Sequence, residues 1–152
     1  MRFIGGKTLI IPYIIELIKE KTIDVKSISD VFAGSGVVSR EFKNFGYDVI
    51  SNDLMYFSYV LLRGTVGINS KLDFKSLGIS DPIEYLNNLS LENMNIDQSK
   101  CFIYQNFSPK GGRMYFTEEN ALKIDLIRVQ IENWYNDSLI NEDEYFYLLT
   151  CL

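Results

Sequence analysis

Two glycines and a distant aspartate carry the first chemical signal in this sequence of 152 residues. The stretch "DVFAGSGVVSREFKNFGYDVISND" begins at Asp30 and ends at Asp53, with Gly34 and Gly36 between two apolar runs. Glycine lets a loop turn tightly and lets its backbone approach a ligand, and the first N–H groups of a following helix have no intrahelical partner. Asp53 stands where a carboxylate could accept hydrogen bonds from both ribose hydroxyls. The pattern predicts a site for a ribose nucleoside.

The residues around the glycines favour a methyl donor over a dinucleotide. The nicotinamide fingerprint has Gly or Ala in its third place, but Ser39 stands there in this chain, and Asp30 precedes the glycines. S-adenosylmethionine has no pyrophosphate, so it does not need the close helix–strand packing that the third glycine permits. A lone Gly-x-Gly also occurs in ordinary surface turns, so the interpretation depends on the elements around it and on Asp53.

The elements that must position these residues form a strand–helix–strand unit, which predicts a parallel sheet. The helix over 37–45 should turn Phe42 and Phe45 inward and end at Gly46. Helices are predicted over 8–20, 37–45, 56–63 and 82–89, and strands over 28–33, 47–51 and 101–105.

Two further helices are predicted at the C-terminal end. Thr117 is a good N-cap for a helix that runs to about Tyr135, with Trp134 in the core. Asn141 and Glu144 resemble a capping box that opens a last helix.

Composition excludes several classes of protein. No apolar run approaches the roughly 20 residues that span a bilayer, so we expect no membrane association. The chain has no histidine and only two cysteines, Cys101 and Cys151, so no metal site is predicted and reduced thiols in the cytoplasm are expected. The net charge of −5 argues mildly against a free-standing nucleic-acid binder.

Three stretches resemble the Dam-like class of adenine-specific DNA methyltransferases, which includes restriction–modification enzymes. They are "RFIGGK" at 2–7, "DVFAGSGVVSREFKNFGYDVISNDL" at 30–54 and "GGRMYFTEENALKIDLIRVQIENW" at 111–134. The resemblance implies S-adenosylmethionine as cofactor and double-stranded DNA as the partner of the complete enzyme. It implies a cofactor site formed by Phe3, Lys7, Phe32, Ala33, Gly34, Ser35, Gly36, Asn52, Asp53 and Leu54.

The catalytic tetrapeptide of that family, Asp/Asn/Ser-Pro-Pro-Tyr/Phe, does not occur in this sequence. No catalytic residue is therefore assigned, and we expect the chain to be the N-terminal portion of a methyltransferase, inactive alone. The expected fold is α/β, an incomplete Rossmann-like methyltransferase fold with a largely helical inserted region. Residues 1–64 would form the cofactor-binding half, and residues 65–152 would border target recognition. An incomplete sheet would leave an exposed edge through which the chain could form a homodimer.

Cationic residues in the second region are the candidates for DNA contact: Lys110, Arg113, Lys123 and Arg128, with Tyr115 and Phe116 among them. A solvated helix face with alternating charges is the alternative interpretation of these residues. Two other functions also stay open, a nucleotide-binding interaction module and a methyltransferase that acts on RNA or a small molecule.

Overall fold

The computed structural model describes residues 7–90 and 97–152, and the chain divides into two compact units, residues 1–71 and 72–152. The first unit combines helices with a small parallel sheet, so the predicted α/β class is confirmed at this level. The predicted functional division at residue 64 stays a prediction. Within the described ranges, no helix is both long and apolar enough to span a bilayer.

The first unit contains the predicted strand–helix–strand arrangement. Its elements are α1 (Ile11–Lys21), β1 (Ser27–Asp30), α2 (Val37–Asn44), β2 (Asp48–Ser51) and α3 (Tyr56–Thr65). Strands β1 and β2 are parallel, with a register that pairs Ser27 with Asp48 and Asp30 with Ser51. Both strands therefore end at the same edge of the sheet, where the glycine loop and Asp53 begin.

The core of the first unit lies between α1, α2 and one face of the sheet. Ile11 and Ile15 of α1 pack with Phe42 of α2 and with partly buried residues of both strands. Pro12 lies in the first turn of α1, where its missing N–H breaks no intrahelical hydrogen bond. The prediction that Phe45 points inward is wrong, because its ring is 51% exposed and lies under the Lys19 ammonium, 5.2 Å from the ring centroid.

Strand β1 is shorter than predicted, since it ends at Asp30 and not at residue 33. The chain turns over residues 31–36 and stays attached to the end of β2. The Ala33 N–H donates to the Asn52 carbonyl at 3.0 Å, and the Asn52 side-chain amide donates to the Val31 carbonyl at 3.0 Å. The apolar residues after Asp30 thus belong to the loop.

The described residues of the second unit form helices joined by turns and loops, and none of them forms a strand. It contains α4 (Pro82–Asn87), α5 (Phe102–Phe107), α6 (Glu118–Asn136) and α7 (Glu142–Cys151), with short 3₁₀ turns at Lys75–Leu77, Gln98–Lys100 and Pro109–Gly111. Its main core gathers Ile131 and Trp134 of α6 with Leu148 of α7 and Phe74. The prediction of Trp134 as a core residue is confirmed.

Both predicted N-terminal caps are confirmed. The Thr117 hydroxyl accepts the Asn120 N–H at the start of α6. At the start of α7, the Asn141 side chain accepts the Glu144 N–H while the Glu144 carboxylate accepts the Asn141 N–H, both at 3.0 Å. The other oxygen of Glu144 accepts the Phe74 N–H at 2.7 Å, so this cap also binds a distant segment of the same unit.

The prediction of a strand over 101–105 is wrong, because residues 102–107 form α5. The helix depends on a carboxylate from another element. Asp125 of α6 accepts the N–H of Ile103 at 3.1 Å and the N–H of Tyr104 at 2.9 Å. These are first-turn donors that have no partner within their own helix. A β-branched and aromatic run thus becomes helical through a tertiary contact.

Candidate functional site

The glycine loop and the distant aspartate meet at the carboxyl ends of the two parallel strands. The Gly34 N–H donates to Asp53 Oδ2 at 2.8 Å, across 19 residues of sequence. The Met55 N–H donates to Asp53 Oδ1 at 3.0 Å. The structure therefore brings together the two features from which the sequence predicted a nucleoside site. In open α/β sheets, ligands bind in the crevice beyond these strand ends.

The Asp53 carboxylate is held in its ionised form. Hydrogen bonds from the Met55 and Gly34 backbone N–H groups hold the pKa of the Asp53 carboxyl below its ordinary value, with the Ser58 hydroxyl acting in the same direction. A carboxylate offers about four acceptor sites, of which the Gly34 and Met55 N–H groups occupy two and the Ser58 hydroxyl uses a third. Asp53 therefore retains acceptor capacity for the hydroxyls of a ligand.

The two glycines of the loop serve different physical purposes. Both are left-handed, with φ of +55° at Gly34 and +73° at Gly36. A Cβ at Gly36 would lie 2.8 Å from Leu62 Cδ2 of α3, so this glycine permits α2 to start close to α3. A Cβ at Gly34 would meet no atom within 4 Å. Of the two, only Gly34 borders the open space that a ligand could use.

A buried serine network supports the loop, and the sequence reasoning identified only part of it. Ser39 of α2 is fully buried, and its hydroxyl donates to Asp30 Oδ2 at 2.7 Å. The Ser51 hydroxyl at the end of β2 donates to Ser39 Oγ at 2.9 Å. The serine in the third fingerprint place thus connects the ends of both strands. The sequence signal that could have revealed this network is the position of Ser39 on the inward side of α2, one turn after Gly36.

The remaining predicted cofactor residues differ in their surroundings. Phe32, which follows β1, and Leu54, which follows β2, are 86% and 97% exposed. Ala33 and Ser35 are half-buried in the loop, and Lys7 is exposed. Phe3 lies outside the described residues. The role of each as a cofactor contact stays a prediction.

A cavity of about 380 Å³ lies beside Asp53 in the same unit. Ser51, Asn52 and Asp53 line it from β2 and its end, and Tyr59 lines it from α3. Lys43 also borders it, and its ammonium donates to the carbonyls of Val66 and Ile68 just beyond α3. The cavity combines polar groups with apolar walls, as small-molecule sites do.

The four cationic candidates for DNA contact lie in the second unit, in two different settings. Lys110 and Arg113 are exposed on the segment between α5 and α6. On α6, the Lys123 ammonium donates to the Leu89 carbonyl, and Arg128 lies 3.5 Å from the buried Asp125 carboxylate. The two side chains on α6 thus already have protein partners. All four DNA contacts stay predictions.

Comparison with known proteins places these features in a family. Residues 3–152 match the family described as D12 class N6 adenine-specific DNA methyltransferase. The type II methyltransferase M.FokI of Planomicrobium okeanokoites is 44% identical over 158 residues, which cover 100% of this chain and 24% of that protein. Modification methylase StsI of Streptococcus sanguinis is 42% identical over 100% of this chain and 23% of its own length. Type II methyltransferase M.NlaIII of Neisseria lactamica is 35% identical over 100% of this chain and 44% of its own.

No solved structure matches the chain. The chain spans about a quarter of the length of the first two relatives. The family match includes the glycine loop, Asp53 and both units, and it confirms the resemblance to adenine-specific DNA methyltransferases of restriction–modification systems. The chain belongs to the D12 class of N6 adenine-specific DNA methyltransferases.

Proposed function

We propose that this chain binds S-adenosylmethionine and supplies the cofactor-binding part of a DNA methyltransferase that acts on the exocyclic amino group of adenine in double-stranded DNA. The observation that carries the proposal is the contact between Gly34 and Asp53 at the ends of two parallel strands. The Rossmann-like arrangement expected from the sequence is part of the same proposal, with β1, α2 and β2 as its first strand–helix–strand unit.

The residues present fit this cofactor. Asp53 would accept hydrogen bonds from the ribose hydroxyls, because it is ionised and keeps acceptor capacity. The backbone at Gly34 leaves room for a close approach. Gly36 caps α2 without a side-chain hydrogen bond, so the first-turn N–H groups keep donor capacity toward the loop. The bound cofactor would supply an electrophilic methyl group on a sulfonium centre.

The second half of the reaction requires groups that this sequence does not contain. The adenine amino group is conjugated into its ring and is a poor nucleophile, so it needs polar acceptors for its hydrogens and an aromatic ring that stacks on the flipped-out base. The family's Pro-Pro-aromatic motif provides them, and it does not occur in these 152 residues. We therefore expect cofactor binding without measurable methyl transfer by this chain alone.

Isothermal titration calorimetry with S-adenosylmethionine and its analogue sinefungin tests the proposal. We expect saturable binding by the folded chain and a loss of at least about tenfold in affinity for Asp53→Ala, since one charge-assisted hydrogen bond is worth about 1.5–3 kcal/mol. Glu20→Ala removes an exposed carboxylate of α1 that does not line the cavity, and it serves as the matched control. A cooperative thermal unfolding transition shows that the chain is folded. If the folded chain does not bind at millimolar ligand, the proposal is contradicted.

The alternative of a nucleotide-binding module with no methyl chemistry is tested by competition. The fully buried Ser39 hydroxyl donates to Asp30 at the place where a dinucleotide fingerprint has Gly or Ala, which favours the methyl donor. Displacement of bound sinefungin by NAD at comparable concentration would support the alternative. A methyltransferase that acts on RNA or a small molecule would share the cofactor result and differ only in the substrate that is methylated.

A further inference from the structure

The segment that connects α5 to α6 presents an unusual combination of groups to solvent. Every residue from 109 to 120 is exposed. Met114 and Tyr115 are 85% and 70% exposed, although both are large and apolar. Lys110 and Arg113 belong to the same short stretch. We refer to residues 109–116 as the connecting loop.

The connecting loop is held in one conformation by contacts at its base. Ser108 is fully buried, its hydroxyl donates to the Tyr104 carbonyl at 2.6 Å, and its carbonyl accepts the N–H groups of Gly111 and Arg113 at 3.0 Å. A Cβ at Gly111 would lie 2.2 Å from the Gln105 carbonyl oxygen, so only glycine fits there. The loop is therefore pre-organised, which lowers the entropic cost of binding a partner.

Aromatic rings continue from α5 into the connecting loop. The ring centroids of Phe102 and Phe107 are 5.9 Å apart, and those of Phe107 and Tyr115 are also 5.9 Å apart. The Arg113 guanidinium lies over the Phe107 ring, 6.0 Å from its centroid. This stacking fixes the direction of Arg113 while its planar donors remain able to bind a phosphate.

The connecting loop and the residues before it differ in charge from the rest of the chain. Residues 98–117 contain three cations, Lys100, Lys110 and Arg113, and no Asp or Glu, in a protein with a net charge of −5. Lys100 is paired with Asp97 at 3.7 Å. The carboxylates that follow the loop are Glu118 and Glu119 of α6, and the Tyr104 hydroxyl donates to Glu118 at 3.2 Å. The loop itself is therefore complementary to a polyanion.

We propose that the connecting loop is a contact surface for duplex DNA, an inference that rests on the proposed function. Lys110 and Arg113 bind backbone phosphates, and Met114 and Tyr115 pack into the adjacent groove. Exposed apolar side chains next to phosphate-binding cations are typical of proteins that place an apolar wedge against base pairs. Lys123 and Arg128 lie outside this surface because their side chains bind Leu89 and Asp125.

The experiment is fluorescence anisotropy of a labelled random-sequence duplex, titrated with the chain at several salt concentrations. We expect Lys110→Gln and Arg113→Gln each to lower the slope of log K against log salt by about 0.9, with an affinity loss of about eightfold at 0.1 M salt. Lys75→Gln is the matched control, since it removes one charge from a well-exposed side chain of the same unit. The double variant Met114→Ser/Tyr115→Ser should weaken binding while it leaves the salt slope unchanged.

The outcomes separate this inference from the proposed function. Calorimetry with sinefungin on the same variants should give unchanged cofactor affinity. Cofactor binding without any duplex binding, or equal losses for Arg113→Gln and Lys75→Gln, would overturn the DNA surface and leave the proposed function intact. Preference for single-stranded RNA over duplex DNA would overturn the assignment of the partner. If the unmodified chain does not bind sinefungin, that result would instead count against the proposed function.

Discussion

Removal of the Asp125 carboxylate should unfold α5. The connecting loop would then lose the contacts that its base makes with this helix. Asp125 is 3% exposed and accepts the N–H groups of Ile103 and Tyr104 at the start of a helix of six residues. A helix this short is not stable by itself in water. Its stability therefore depends on packing and on this carboxylate.

The expected cost of Asp125→Ala follows from the two hydrogen bonds. Loss of an N-cap acceptor costs about 1 kcal/mol. A buried N–H left without a partner costs a further 1–3 kcal/mol or so, and Tyr104 is buried. We expect a total of about 2–4 kcal/mol in the free energy of unfolding. For a unit of this size, that corresponds to a fall in Tm of at least about 8 °C.

The assay is thermal unfolding followed by the fluorescence of Trp134, which is the only tryptophan and lies buried in the second unit. Asp125→Asn keeps one acceptor oxygen and should lose about half as much stability as Asp125→Ala. Asp137→Ala removes an exposed carboxylate just after α6 and should change stability by less than about 0.5 kcal/mol. A Tm for Asp125→Ala within 2 °C or so of this control would refute the reasoning.

Three further predictions concern the glycine loop, the α7 cap and pH. Gly36→Ala should lower the free energy of unfolding by about 2 kcal/mol or more, through its positive φ and the contact with Leu62. Gly34→Ala has only the cost of its positive φ, about 1–2 kcal/mol, and should weaken sinefungin binding. Chemical unfolding and calorimetry measure the two effects. Glu144→Gln should cost about 1–3 kcal/mol in urea unfolding, because a neutral amide replaces the carboxylate that accepts two backbone N–H groups, and an unchanged midpoint would contradict the assigned contacts. The pKa of Asp53 is lowered on folding, so its contribution to stability is full above its unfolded pKa of about 3.9 and is lost as pH falls through the lower folded value. Sinefungin affinity should therefore show no loss from Asp53 protonation between about pH 5 and 8. A titration midpoint of the affinity in that range would contradict the assigned hydrogen bonds of Asp53.

The local patterns of this sequence were sufficient for the strand–helix–strand unit and for most helix ends. Thr117 and the pair of Asn141 and Glu144 marked helix starts correctly, because a cap acts through hydrogen bonds within three residues of sequence. The link between the glycine loop and Asp53 was also predictable, since parallel strands end at one edge of a sheet. The predicted family followed from the motifs at these same positions.

Tertiary contacts decided the features that local pattern predicted wrongly or could not reach. Residues 102–107 have strand-like composition, yet they are helical because Asp125 supplies acceptors from 22 and 21 positions away in the sequence. Phe45 is apolar but exposed, because the inward side of α2 ends with Phe42. The purpose of Gly36 depends on Leu62, which no local pattern relates to it. Sequence periodicity reports which side of an element is apolar, whereas a lone carboxylate or a missing Cβ has its effect only through the partner that folding brings beside it.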